Sequence, residues 1–305
     1  MDEDLPIVDA HHHLWDLGSA LRYPWLQTNE HAWLGDYSRI QRSYLPAEYR
    51  RDTTLHNVIA TVHVEAECDR SQQLVETEWL TRIAAETGMP NAIVAHAWVD
   101  TPDAEGIIAA QAANKNVRGI RTKPVIAAGP DGSVRGDRRS LQDPVWRKGQ
   151  GLLTKYNLSW DLRVPWYHLE EAAEVCREHP DLRIVLNHTG YPLVRSPEQL
   201  KVWKRGMEAL ASCSNVWCKI SGLTVEGKPW TLQVNGAVIR ETIGMFGVNR
   251  CMFASNYPVD GVKASWDWIF RNFKDVTAGL PTEDRRKLFA ENALAFYRID
   301  LVDSS

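Results

Sequence analysis

The sequence of 305 residues lacks a Cys-x-x-Cys pair, a long apolar run and any block of charge of one sign. Its five cysteines are an odd number and lie far apart, which favours buried free thiols over a disulfide framework or a zinc ribbon. No window reaches the roughly 18 uncharged apolar residues of a membrane helix, and three of the first four residues are acidic where a signal peptide is basic. We therefore expect a cytoplasmic protein that has no membrane partner.

Positively and negatively charged residues are both numerous and are interspersed along the chain. Lys plus Arg number 35 and Asp plus Glu number 39, which gives a formal net charge of −4 without a basic stripe. This pattern argues against nucleic acid as a partner. No Gly-x-Gly-x-x-Gly motif follows the first strand-like run, which argues against dinucleotide binding. A small-molecule substrate remains the expected partner, the 13 tryptophans suit the walls of its pocket, and assembly into a homo-oligomer stays open.

Eight short β-branched or apolar runs are predicted to be strands, and stretches with helical spacing lie between the later ones. The predicted strands are Pro6–Ala10, Val58–Glu65, Ala92–Val99, Val117–Arg121, Leu158–Val164, Arg183–Asn187, Asn215–Ser221 and Arg250–Ala254. The predicted helices are Ser71–Thr87, Asp103–Asn114, Leu141–Tyr156, Leu169–Glu178, Pro197–Cys213, Leu232–Phe246, Lys263–Asp275 and Thr282–Tyr297. This repeated order predicts an α/β fold, a single (β/α)8 TIM barrel over residues 1–305. The aromatic and irregular stretch Leu14–Arg51 is predicted to be a long loop over the pocket mouth.

Three consecutive histidines stand where the first predicted strand ends. The active site of a TIM barrel lies at the carboxyl ends of its strands. If strand alternation continues, Asp9, His11 and His13 share the inward side and His12 faces the helices. Two imidazoles about 7 Å apart on one face of a strand can converge on one cation, although a histidine run can also be a solvated turn.

Other strand ends supply charged and aromatic candidates. Arg121, Lys123 and Arg163 follow the fourth and fifth strands. Their cationic groups suit a substrate carboxylate or a developing oxyanion, and the alternative is that they form structural ion pairs. Glu65 ends the second strand and Trp98 ends the third, so both are candidate substrate-binding residues. The substrate is expected to be anionic.

Seven short motifs recur in the order of a known family. They are Asp9–Asp16, Tyr23–Leu26, Val117–Arg121, Leu186–Pro192, Lys219–Gly222, Met252–Asp260, and Glu291–Ala293 with Phe296–Arg298. Their order and their strand-end placement resemble the amidohydrolase-2 family of TIM-barrel hydrolases over nearly the whole chain. The most similar branch includes lactonases that act on sugar lactones and on lactones from aromatic-compound breakdown. The resemblance therefore implies a hydrolase that opens a lactone.

The resemblance also implies a set of site residues. His11, His13 and His188 would form the histidine constellation, which some members use to hold a divalent metal such as zinc or manganese. In the family pattern the eighth strand ends in an aspartate that activates water, and Asn256 stands at that position. A carboxamide has no useful basicity. We therefore expect a metal that is weakly held or dispensable.

The missing aspartate leaves the general base open among a histidine of the cluster, Asp260 and Glu65. Asn256 is expected to donate a hydrogen bond to the substrate, and the adjacent Tyr257 is a further binding candidate. His31 is not counted among the site residues, although its place in the long first loop would allow it to touch substrate. The favoured reaction is opening of a cyclic ester by water activated at the histidine cluster. The alternatives are a metal-dependent decarboxylase of a small unsaturated or aromatic acid and a barrel that binds its ligand without turnover.

Overall fold

Eight parallel strands form one sheet in the order of the chain. The protein is described here by a computed structural model that covers residues 4–28 and 35–301. The strands are β1 (Ile7–His12), β2 (Val58–Val64), β3 (Ala92–Ala95), β4 (Val117–Ile120), β5 (Ser159–Leu162), β6 (Ile184–Leu186), β7 (Val216–Ile220) and β8 (Cys251–Phe253). The segment after β8 lies beside β1 and closes the barrel there, where the Asn256 N–H donates to the His11 carbonyl oxygen over 2.8 Å. The predicted (β/α)8 barrel is confirmed.

The helices follow the strands on the outside of the sheet. They are α1 (Pro24–Gln27), α2 (Pro46–Thr53), α3 (Gln73–Thr87), α4 (Ala104–Ala112), α5 (Pro144–Gly149), α6 (Gly151–Lys155), α7 (Leu169–Glu178), α8 (Pro197–Ala211), α9 (Leu232–Phe246), α10 (Trp266–Val276), α11 (Thr282–Arg286) and α12 (Asn292–Tyr297). The predicted helix Leu141–Tyr156 is divided into α5 and α6. The helix predicted to begin at Lys263 begins at Trp266, because Ser265 Oγ accepts a hydrogen bond from the Trp268 N–H and caps it.

The predicted loop Leu14–Arg51 is less irregular than expected, since it contains α1 and the start of α2. Pro46 occupies the first turn of α2, and the Glu48 side chain accepts a hydrogen bond from the Leu45 N–H over 3.1 Å. Proline at this position and an acidic residue two places later are helix-start signals. Trp25 of α1 and Gly35 line the cavity described below. His31 lies outside the described residues.

The strands pack on both faces of the sheet. Val8, Val62 and Met252 belong to a buried cluster that α12 covers with Phe296 and Tyr297. All five cysteines are buried free thiols, as predicted. Within residues 4–28 and 35–301, none of the helices combines the length and the apolar character needed to span a bilayer.

Candidate active site

A cavity of about 1050 Å³ opens among the residues that follow the strands. Among the residues that line it are six predicted site residues: His13, Arg121, Arg163, His188, Asn256 and Asp260. They lie after strands β1, β4, β5, β6 and β8. Because the carboxyl ends of parallel strands meet at one rim of a barrel, side chains far apart in sequence converge there.

The three histidines form one cluster at the base of this cavity. The ring centroids of His11 and His13 lie 5.0 Å apart, and those of His11 and His188 lie 4.5 Å apart. His13 Nδ1 lies 2.7 Å from the Val64 carbonyl oxygen, so Nδ1 carries the proton and Nε2 keeps its lone pair. His188 Nδ1 lies 2.8 Å from Ser221 Oγ. Both ring nitrogens of His11 are buried without a hydrogen-bond partner among the described residues.

Burial keeps the histidine cluster neutral. It lowers the pKa of His13 to about 3, and the positive charge of Arg121 adds to the effect. Burial also lowers the pKa of His11 and the pKa of His188 well below the ordinary value of 6.5. Imidazoles with such low pKa values accept hydrogen bonds but are weak proton acceptors at neutral pH. The cluster is therefore better suited to orienting a water molecule than to deprotonating it.

Strand β1 does not alternate regularly, and the prediction that Asp9 shares the inward side is wrong. The register between β1 and β2 shifts between Asp9 and His12, which marks a bulge. The Asp9 carboxylate accepts hydrogen bonds from the Tyr49 hydroxyl over 2.9 Å and from the Trp266 indole over 3.2 Å. Both donors lie on helices outside the sheet. His12 also packs against Tyr49, with ring centroids 4.7 Å apart, so it faces the helices as predicted.

Strand β6 ends in a left-handed turn that places two rings at the cavity. His188, Thr189, Gly190 and Tyr191 have φ values of 57°, 50°, 69° and 53°. Left-handed backbone costs roughly 1–2 kcal/mol for each residue other than glycine, so the surrounding structure must hold it. The Trp203 indole donates to the Thr189 carbonyl oxygen over 2.7 Å. Strain of this kind is typical of a functional site.

Glycine at position 222 makes room for the His188 ring. A Cβ atom there would lie 2.7 Å from His188 Cγ, and the φ of Gly222 is 59°. The Gly222 N–H also donates a hydrogen bond to the Asp260 carboxylate. Gly222 thus contacts both the imidazole of His188 and the carboxylate of Asp260.

Tyr191 is a site residue that the sequence alone did not reveal. Its ring centroid lies 4.9 Å from that of His188, and its hydroxyl accepts a hydrogen bond from Arg163 Nε over 2.8 Å. Burial raises the pKa of Tyr191 above its usual range, although the charge of Arg163 opposes this. The hydroxyl therefore keeps its proton at neutral pH and can donate it to an oxygen atom in the cavity. Strand alternation could not identify it, because the turn is left-handed.

Asn256 and Asp260 form a hydrogen-bonded pair in the cavity wall. Asn256 Nδ2 donates to Asp260 Oδ1 over 2.8 Å, and Asn256 has a φ of 54°. Burial raises the pKa of Asp260 to about 7, while the hydrogen bonds from Asn256 and from the Gly222 N–H oppose the increase. A carboxyl group with a pKa near the working pH is suited to general acid–base catalysis. The Asn256 amide, expected to donate to the substrate, thus uses one of its two N–H bonds on Asp260.

Glu65 is placed as an orienting partner of Arg121 and does not line the cavity. Its Oε1 accepts from Arg121 Nε over 2.7 Å, and its Oε2 accepts from Arg70 Nη1 over 2.8 Å. Burial alone would raise the pKa of Glu65, but these positive charges hold it well below its usual value. A carboxylate that is so stabilised is a poor general base. Glu65 is therefore removed from the candidate bases and from the residues that touch substrate.

Lys123 is paired with Glu67, in keeping with the alternative that the cations after the strands form structural ion pairs. Its Nζ lies 2.5 Å from Glu67 Oε1, and Glu67 lines the cavity where Lys123 does not. Burial lowers the pKa of Lys123 to about 8, against the opposing charge of Glu67. Lys123 therefore forms a structural ion pair and does not contact the substrate. Arg121 and Arg163 remain as the cationic side chains of the strand ends in the cavity wall.

Trp98 and Tyr257 do not line the cavity either. The guanidinium carbon of Arg139 lies 3.9 Å from the centroid of the Trp98 ring, and that arginine is paired with Asp100. The ring of Tyr257 lies 5.9 Å from that of Tyr44, between centroids. Both were expected to bind substrate from their strand-end positions, but their side chains pack against neighbouring loops.

The histidine cluster does not form a ready metal site. In the part of the chain that the structure describes, no group of three or more His, Cys, Asp or Glu side chains is placed to hold a metal ion. His13 has a carbonyl oxygen and His188 has the Ser221 hydroxyl as the outer partner of its Nδ1, whereas His11 has no such partner among the described residues. Asn256 brings no charge to the set. The residues therefore do not fit a strong zinc or manganese centre.

A parallel (β/α)8 barrel with polar and charged side chains gathered after its strands defines a TIM-barrel protein with the site placement of an enzyme. The chain belongs to the amidohydrolase family, whose model matches residues 8–299. It is 36% identical to the uncharacterized protein y4mH of Sinorhizobium fredii, over 97% of this chain and 99% of that protein. It is 29% identical to an L-fucono-1,5-lactonase of Burkholderia ambifaria, over 96% of each chain.

The fold also matches a solved structure. The crystal structure of an amidohydrolase from Burkholderia multivorans with bound Zn superposes with a TM-score of 0.80 at 23% identity. The match covers 96% of this chain and 99% of that one. At this identity the likeness shows the fold and does not transfer the zinc.

Proposed function

We propose that this protein is a hydrolase that opens a lactone ring, with Asp260 as the general base. The observation that carries the proposal is the buried Asp260 carboxyl in the cavity wall, where it accepts a hydrogen bond from Asn256 Nδ2 over 2.8 Å. Burial raises the pKa of Asp260 to about 7, which suits a base that works at neutral pH. It lies in the same cavity wall as His13, His188 and Arg163. The relative named L-fucono-1,5-lactonase supports the choice of a cyclic ester as the substrate.

The first step is attack of water on the lactone carbonyl carbon. The neutral imidazoles of the cluster accept hydrogen bonds and hold the water, and the ionised Asp260 removes its proton. A bond forms between the water oxygen and the carbonyl carbon, and the carbonyl oxygen takes up the negative charge. The Arg163 guanidinium and the Tyr191 hydroxyl lie in the cavity as donors for that oxygen.

The second step breaks the ester bond of the ring. As the tetrahedral carbon collapses, the ring oxygen leaves and takes the proton that Asp260 gained from water. The product is one hydroxy acid, and Asp260 returns to its ionised form. Arg121, held by Glu65, and Arg163 supply positive charge that favours the carboxylate of the product or of an anionic substrate.

A lactone panel with and without chelator tests this proposal. The panel contains a sugar 1,5-lactone, δ-valerolactone and a carboxylated unsaturated lactone, and acid release is recorded with a pH indicator. We expect turnover of at least one, with kcat/KM changed less than about twofold by EDTA, because the residues do not form a strong metal site. Elemental analysis with one tightly held metal per chain, together with loss of activity in EDTA, would contradict the metal-independent route.

The same panel separates the alternatives. Release of carbon dioxide from an unsaturated or aromatic acid, without ring-opened acid from any lactone, would identify a decarboxylase. Saturable binding of a lactone without turnover would identify a ligand-binding barrel.

Removal of the Tyr191 hydroxyl tests its role as a donor. We expect Tyr191→Phe to lower kcat about 10-fold with little change in KM, less than the roughly 10²-fold loss of a sole oxyanion donor, because Arg163 remains. The matched control is Tyr167→Phe, whose hydroxyl donates to the Ala127 carbonyl oxygen. A Tyr191→Phe enzyme with unchanged kcat would remove this hydroxyl from the mechanism.

A further inference from the structure

Two kinds of side chain line the cavity. Its base carries the polar side chains of the strand ends. The loops above them present a ring of apolar side chains: Ile126, Leu193, Val194, Val225, Val259 and Val262. The neighbouring charged side chains Glu226 and Lys263 also line the cavity and are exposed. The cavity therefore combines a polar set at the strand ends with an apolar set on the loops.

Two side chains of this apolar ring are unusually exposed to solvent. Ile126 is 40% exposed and Val194 is 64% exposed, although both line a concave surface. Apolar side chains gathered in a cavity favour a ligand that removes them from water. A sugar ring with a hydroxyl on each carbon would leave those hydroxyls without partners against this wall, which is unfavourable.

The cavity is also larger than a bare lactone ring requires. Its volume of about 1050 Å³ lies just above the range of roughly 300–1,000 Å³ that is usual for ligand pockets. A lactone bound among the polar side chains would leave the space beside the apolar ring unfilled. The remaining volume suits a substituent that extends from the lactone toward the mouth.

We propose that the substrate is a lactone with a hydrocarbon substituent, which packs against the apolar ring while the lactone lies among the polar side chains at the base. This rests on the proposed lactonase function. It differs from the activity named for the Burkholderia ambifaria relative, whose substrate is a sugar lactone by name.

The test measures kcat/KM for δ-valerolactone, δ-hexalactone, δ-octalactone and δ-decalactone. We expect kcat/KM to rise about fourfold per added methylene until the ring is filled, since each buried methylene contributes about that factor. The double variant Ile126→Ser with Val194→Ser should reduce the ratio of δ-decalactone to δ-valerolactone about 10-fold. The matched control is Val145→Ser, an exposed valine on α5 that should leave the ratio unchanged.

A second measurement does not depend on turnover. Calorimetric Kd values for the carboxylates from butanoate to decanoate should fall with chain length in the wild type and fall less in the double variant. If no lactone is hydrolysed but this trend is found, the hydrocarbon site stands and the lactonase proposal fails. If lactones are hydrolysed with no dependence on chain length, or if a sugar lactone is preferred to δ-decalactone, the hydrocarbon proposal is overturned.

Discussion

Asp260→Asn is expected to lower kcat/KM about 10³-fold, within the range measured for loss of a general base. The amide has nearly the shape of the carboxyl group but cannot accept a proton. The control is Asp267→Asn, because Asp267 lies on α10, where it pairs with His56 and Arg271. The measurement is kcat/KM on the best lactone of the panel at pH 8. If Asp260→Asn keeps a tenth or more of the wild-type value, Asp260 is not the base.

The pH profile gives an independent reading of the same group. The base must be ionised, and burial raises the pKa of Asp260 to about 7. kcat/KM should therefore rise about tenfold per pH unit below pH 7 and level off above it. Asn256→Ala removes a hydrogen bond that lowers this pKa, so its acid limb should move to higher pH. An acid limb near pH 4 in the wild type would exclude Asp260.

The raised pKa of Asp260 makes the folded protein less stable as the pH rises. The folded pKa of about 7 lies above the ordinary value of 3.8, so the folded state holds the proton more tightly than the unfolded chain. The resulting stabilisation is fully present below about pH 4 and is lost as the pH rises through 7, by up to about 4 kcal/mol. Asp260→Asn has no such dependence. Its Tm relative to the wild type should therefore increase between pH 4 and pH 8.

The barrel could be predicted because its signals are local. Runs such as Val58–Glu65 and Asn215–Ser221 are apolar or β-branched, and helical spacing follows them. The rule that barrel sites lie at the carboxyl ends of strands then points to His13 and Arg163 without any coordinates, and the family resemblance adds His188. Both steps use information that lies within a few residues of each position.

The exceptions depend on contacts between distant residues. Glu65 cannot serve as the base because Arg121, which follows β4, donates to its carboxylate. Asp9 faces the helices because of a bulge whose position depends on the pairing of β1 with β2. Tyr191 reaches the cavity through a left-handed turn that the Trp203 indole helps to hold. Alternation along one strand contains none of this information.

The substitution Asn256→Asp restores the aspartate of the family pattern and tests whether activity tolerates it. In the structure the Asn256 amide donates to Asp260 Oδ1 over 2.8 Å. An aspartate would place an acceptor against that oxygen, and two carboxylates so close cannot both be ionised. The pair would share a proton at neutral pH, which takes the base out of action.

We therefore expect Asn256→Asp to lower kcat/KM about 10²-fold at pH 7 and to recover part of the loss at pH 9, where the shared proton leaves. If the amide acted mainly as a donor to the substrate, the loss would persist at pH 9. The control is Asn256→Ala, which removes the donor without adding a charge. An Asn256→Asp enzyme as active as the wild type at pH 7 would mean that the new carboxylate serves as the base. In that case Asp260→Asn would cost no activity in the Asn256→Asp background.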